Sequence, residues 1–152
     1  DYNRHLLYFS RNGDTAKAEA TRWRLHKKDK EVVKSTKVHE AKGQSMDMLT
    51  AFYFMRQLKF QQMKTGDAVK VNIFSGTQKE ILTIRYKGVE MVELHGKRYP
   101  SYHITFTFTT DGGKISSDNM DAWIATDGTH IPLLLEGKLP VGKVRALYSG
   151  SL

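Results

Sequence analysis

Cysteine is absent from the 152 residues, which removes disulfides, thiolate nucleophiles and cysteine-based zinc sites from consideration. The absence suits either redox compartment. Long apolar runs are missing too: none approaches the roughly 18 residues that a membrane-spanning helix requires. No secretory leader is recognisable, and the chain starts at Asp1 rather than methionine, in residues that already read like the interior of a fold. A processed or trimmed chain, incomplete at its N-terminus, is the expectation. Residues 1–152 are read as a single domain large enough to bury a core.

Assembled catalytic motifs are also lacking. There is no G-x-S-x-G elbow, no H-E-x-x-H pair and no phosphate loop; the histidines at 5, 26, 39, 95, 103 and 130 are scattered. The densest acidic stretch, DNMDAWIATDGTH, places Asp118, Asp121 and Asp127 three and six residues apart, which does not fit the alternate-ligand spacing of a calcium loop. Asp127-Gly128 reads instead as a hairpin turn, with His130 following it towards solvent. No metal, no cofactor and no enzymatic activity are expected.

What the chain does have is basic charge, at +8 net, on an otherwise ordinary composition of 39% hydrophobic and 26% charged residues. The basic stretch 17–42 is interrupted by Glu19, Asp29, Glu31 and Glu40, and carries neither an Arg-rich block nor an RNA-binding aromatic motif. Nucleic acid is not an expected partner.

Period-two alternation dominates. In YHITFTFTTDGGK, Tyr102, Ile104, Phe106 and Phe108 alternate with His103, Thr105, Thr107 and Thr109, and Asp111-Gly112-Gly113 supplies a tight turn. Further strands are predicted over 5–11, 15–27, 31–39, 68–74, 80–86, 89–94, 120–125, 131–136 and 143–148, with turns at Asn12-Gly13, Ser75-Gly76, Lys87-Gly88, His95-Gly96 and Asp127-Gly128. Loops this short force antiparallel pairing. The fold class is therefore all-β with one helix: an antiparallel meander curved into a barrel or half-barrel.

The helix is predicted over 45–60, SMDMLTAFYFMRQLKF, capped by Ser45 or Asp47, with Met48, Phe52, Met55 and Leu58 at helical spacing. Leu49, Ala51 and Phe54 widen its apolar side, so it must be covered on more than one side, packed on or in the concave face of the sheet. Two uses remain open: filling the core, or roofing a pocket for an apolar ligand. Trp23 stands between Arg22 and Arg24. Strand alternation explains the trio, and an aromatic-cation platform for an anionic ligand is the alternative.

The C-terminal run MDAWIATDGTHIPLLLEGKLPVGKVRALYSG resembles the closing hairpins of the exported bacterial proteins grouped as domain of unknown function family 3108. Trp123, Asp127, Ile131-Pro132, Glu136, Lys138 and Val141-Gly142 carry the likeness. DMLTAFYFMRQLKF, KTGDAVKVNIFSGTQKEILTIRY and GKRYPSYHITFTF are similar, in order, to the family's helix, paired strands and aromatic loop. The resemblance implies an exported protein of the periplasm or outer membrane of Gram-negative bacteria, mainly antiparallel β. It brings no catalytic residues.

Two functions are expected from different classes. The first is a non-enzymatic envelope protein that holds a lipid or other apolar molecule, with Phe52, Met55, Tyr102, Phe106 and Trp123 as the binding residues. The second is a scaffold module using Arg22, Trp23 and Arg24 for an anionic glycan or partner protein. A monomer, peripheral to membrane at most, is expected in either case.

Overall fold

The computed structural model describes residues 3–25, 30–75, 78–115, 117, 119–139 and 142–150. Ten strands and one α-helix follow in the order β1 (Asn3–Asn12), β2 (Thr15–Leu25), β3 (Val32–Lys42), β4 (Ser45–Asp47), α1 (Met48–Arg56), β5 (Ala68–Phe74), β6 (Lys79–Leu94), β7 (Lys97–Thr110), β8 (Met120–Ala125), β9 (Pro132–Leu139) and β10 (Gly142–Leu147). A 3-10 turn spans Phe60–Gln62.

The strands form two sheets rather than a barrel. One has three strands in the order β1-β2-β3; the other has seven in the order β10-β9-β8-β7-β6-β5-β4. From β5 to β10 every neighbour in sequence is an antiparallel neighbour in space. The expectation of purely antiparallel pairing fails at one place. Ser45–Asp47 is not helix but a short strand parallel to β5, and α1 provides the crossover that parallel pairing demands. The predicted helix is shortened accordingly. It begins where the Asp47 carboxylate accepts the Thr50 backbone N–H at 2.7 Å, and stops at Gln57.

Lys87-Gly88 does not turn the chain. Strand β6 runs through it as a bulge, pairing Tyr86 with Ile104 and then Gly88 with His103. Up to Tyr86 the even-numbered residues face α1; beyond the bulge they face the other way. Gly88 has φ +110°, and a Cβ there would sit 3.2 Å from the Thr65 hydroxyl oxygen. Gly88→Ala is expected to destabilise the fold by about 1–3 kcal/mol, measured by urea denaturation, because the conformation is one that alanine rarely adopts. The predicted turn at Ser75-Gly76 and the end of strand 15–27 lie partly outside the described residues.

The main core lies between α1 with the 3-10 turn on one side and the inner face of β5–β8 on the other. Ala51, Met55, Leu58 and Phe60 pack there on Val71, Ile73, Leu82, Ile84, Tyr86, Tyr102, Ile104, Phe106, Ala122 and Ile124. Phe60 anchors it, stacked on Tyr102 at 4.5 Å between ring centroids. Burial, and then neighbouring Tyr102, push the Tyr86 phenol above its ordinary pKa. A smaller cluster of Val92, Leu94, Ala125 and Leu133 fills the opposite face near the β6–β7 tip. Phe74 also turns away from α1 and plugs into the three-stranded sheet among Ala16, Ala18 and Ala41, against the Phe9 and His39 rings. Asn72 Nδ2 reinforces that junction by donating to the Lys42 and Gln44 carbonyls.

Candidate functional site

Helix α1 divides its apolar residues between two environments. Ala51 and Met55 are buried against the sheet, whereas Leu49 is 75% and Tyr53 64% exposed, with Phe52 at 37%. The stripe that meets the sheet is thus rotated from the predicted one. The leftover side chains overhang a pocket of roughly 310 Å³ lined by Leu49, Phe52, Tyr53, Met55, Arg56, Ala122, Ile124, Pro132 and Leu135. That volume is at the lower end for small-molecule sites, and the lining is apolar apart from Arg56.

Leu135 is also a wall of a second, mainly apolar pocket, roughly 450 Å³, shared with Met120, Gly137, Val144 and Ala146 and edged by Ser117 and Lys138. Pairing explains why the two abut. Leu135 lies beside Ala122 and Ala146, and Gly137 beside Met120 and Val144, so all of them point to the face that carries α1. The helix stops short of β9 and β10, leaving an apolar groove along β9.

One end of the groove is bordered by a reciprocal clasp. Arg56 Nε donates to the His130 carbonyl at 2.9 Å and Nη2 to the Thr129 carbonyl at 3.0 Å. His130 Nδ1 donates back to the Arg56 carbonyl at 2.7 Å, and its ring packs on Phe60 and Tyr102. The expectation that His130 faces solvent is therefore corrected: the turn carries it inward. Asp127 is the residue that shapes this turn, accepting the Thr129 N–H at 3.0 Å and the Thr129 hydroxyl. Those bonds hold its carboxyl below the usual carboxylate pKa.

The structure gathers only part of the predicted ligand set. Phe52 and Met55 line the pocket. Phe106 lies beneath it, edge-on to Phe52 at 6.5 Å and buried. Tyr102 belongs to the core under Phe60 and does not reach the pocket. Trp123 is on the other face of the sheet, because it alternates with the inward Ala122 and Ile124. Arg22, Trp23 and Arg24 likewise do not form one platform. The two arginines share a face with Ala16, Ala18 and Ala20, while Trp23 lies on the reverse, with Arg4 and Lys34 against its ring.

Outside the groove, sequence reasoning missed one constellation. His103 Nδ1 is 3.0 Å from Glu90 Oε2, and its Nε2 is 2.7 Å from Asp121 Oδ1. The ring stacks on Trp123 at 4.6 Å, and Trp123 Nε1 donates to the same Glu90 oxygen at 3.0 Å. With both ring nitrogens beside carboxylates, His103 ties β6, β7 and β8 together. No group of three or more His, Asp or Glu is arranged to hold a metal ion among the described residues.

Glu136 fixes β10 to β9 on that outer side. Lys143 Nζ meets its Oε1 at 2.8 Å and Arg145 Nε its Oε2 at 2.7 Å, and these bonds depress its pKa. A depressed carboxylate favours the folded state above its unfolded pKa and loses that contribution as pH falls through the folded value. Glu136→Gln should therefore lower the thermal midpoint at neutral pH and flatten its decline below about pH 4.5, the ordinary glutamate range. Parallel thermal melts from acid to neutral pH read both effects.

No curated protein and no solved structure matches the chain. A family does: the one described as Protein of unknown function (DUF3108) matches residues 8–148. That span takes in all of β2 to β10 together with α1 and the clasp. The chain belongs to the DUF3108 family.

Proposed function

We propose that this chain is a non-enzymatic envelope protein that holds a single apolar chain, such as a lipid acyl chain, in the groove between α1 and β8–β10. The observation that carries the reading is the pair of apolar pockets meeting at Leu135, the first of them beneath helix side chains that remain in water. Leaving Leu49, Phe52 and Tyr53 exposed beside an apolar trough is unfavourable unless something apolar covers them. An acyl chain laid along β9 would bury them, and the polar Arg56–His130 end would remain at the mouth. Lumen-like curvature of the larger sheet around α1 is part of this reading. The resemblance to exported proteins supports a place in the envelope.

Titration of the purified chain with a fluorescent fatty acid tests the reading. One saturable site, displaced by unlabelled fatty acid and insensitive to salt, is expected. Enhancement that never saturates would count against a built site.

A further inference from the structure

The three-stranded sheet carries a feature that the groove does not use. Its end away from Phe74 is built in rows: Arg4 beside Trp23 beside Lys34, Leu6 beside Thr21 beside Thr36, and Leu25 beside Val32. Within residues 3–6, 21–25 and 32–36 the charged side chains are Arg4, Arg22, Arg24 and Lys34, with no carboxylate. Adjoining Lys30 and Glu31 offset one another. Nearer the main sheet the Trp23 face turns mixed, with Lys17 and Lys42 beside Glu19 and Glu40. On the Trp23 face positive charge is therefore segregated to the distal end, whereas on the reverse face Arg22, Arg24, Lys37 and Arg11 are spread along the sheet.

Large apolar side chains stand in water at the same place. Leu6, Val32 and Val33 are each more than half exposed, and Tyr8, one row further in on the Trp23 face, is 69% exposed. Trp23 is half-buried, with the Arg4 guanidinium carbon 5.1 Å and the Lys34 ammonium 5.7 Å from its ring centroid. An anionic bilayer surface recognises this combination. Indole and phenol rings settle at headgroup level. Basic side chains lay their stems along apolar surface while their heads reach lipid phosphates. A polyanion without an apolar layer would leave Leu6, Val32 and Val33 uncovered, and a protein partner's site would be depleted in lysine at its centre.

We infer that the distal end of the three-stranded sheet docks onto an anionic lipid bilayer, with Trp23 at the headgroup level and Arg4 and Lys34 against lipid phosphates. The surface is separate from the groove, and either can be present without the other.

Cosedimentation of the full chain with vesicles tests the inference, using phosphatidylcholine alone and phosphatidylcholine mixed with phosphatidylglycerol. Association with the anionic vesicles only is expected. Arg4→Gln with Lys34→Gln should weaken it by about tenfold or more. Lys17→Gln with Lys42→Gln, the same change of charge at the other end of the sheet, should leave it within about twofold. Leu6→Ser with Val32→Ser should weaken it while the thermal midpoint holds. Equal weakening by the two charge pairs, or equal association with both vesicle types, would overturn the inference. So would absence of vesicle association together with heparin binding, or self-association that Leu6→Ser with Val32→Ser dissolves.

Discussion

Leu135→Trp is expected to weaken fatty-acid binding by about tenfold or more, corresponding to at least about 1.4 kcal/mol, with little effect on the fold. Leu135 is the one side chain common to both pockets. A larger aromatic there blocks the trough where its two halves join. The space it needs already exists, so the overpacking that normally accompanies a small-to-large change is reduced. Circular dichroism and the thermal midpoint should stay close to those of the parent, while probe titration loses its saturable phase. Unchanged affinity in a folded Leu135→Trp protein would remove the groove from the account.

Phe106→Ala should cost about 3–5 kcal/mol in urea denaturation, the range for deleting a buried phenylalanine ring. Phe106 is 1% exposed, packs edge-on with Phe108 at 6.2 Å and with Phe52 at 6.5 Å, and lies at the centre of the inner face of the larger sheet. Neighbouring strands hold the surrounding backbone, which restricts collapse into the void. The change also removes the ring beneath Phe52, so residual folded protein should bind the probe differently. A loss below about 1 kcal/mol would mean that the inner face is far less tightly packed than this geometry requires.

How much of this could be read from residues alone follows from the range over which each signal acts. Strands β5 and β8 occur where alternation and flanking turn residues place them, because both cues are local. Gly88 shows the limit. A glycine in a bulge and a glycine in a turn are identical in sequence, and only the partner strand distinguishes them. The separation into two sheets was not legible either. It depends on Phe74 choosing the face opposite α1 and meeting Ala16, Ala18 and Ala41, contacts far apart along the chain.

The site was half legible. The Met- and Phe-rich helix pointed to Phe52 and Met55, whereas Trp123 was expected in the same site although its parity sets it opposite Ala122 and Ile124. Leu135 and Gly137 drew no attention, because a leucine and a glycine in a strand carry no chemistry until a groove forms over them. The Arg56–His130 clasp joins residues 74 apart, and the Glu90–His103–Asp121 bridge needs three strands in register. Such pairings follow from tertiary placement, which no local pattern encodes. Arg22, Trp23 and Arg24 were legible as alternation. The neighbours of Trp23, Arg4 and Lys34, come from strands on either side.

The most direct measurement is native mass spectrometry, with lipid extraction, on the protein purified from its native source in parent and Leu135→Trp forms. The groove account predicts an apolar molecule bound one to one in the parent and absent from the variant. A parent protein that flies ligand-free, and that takes up no fatty acid when it is supplied, would contradict it.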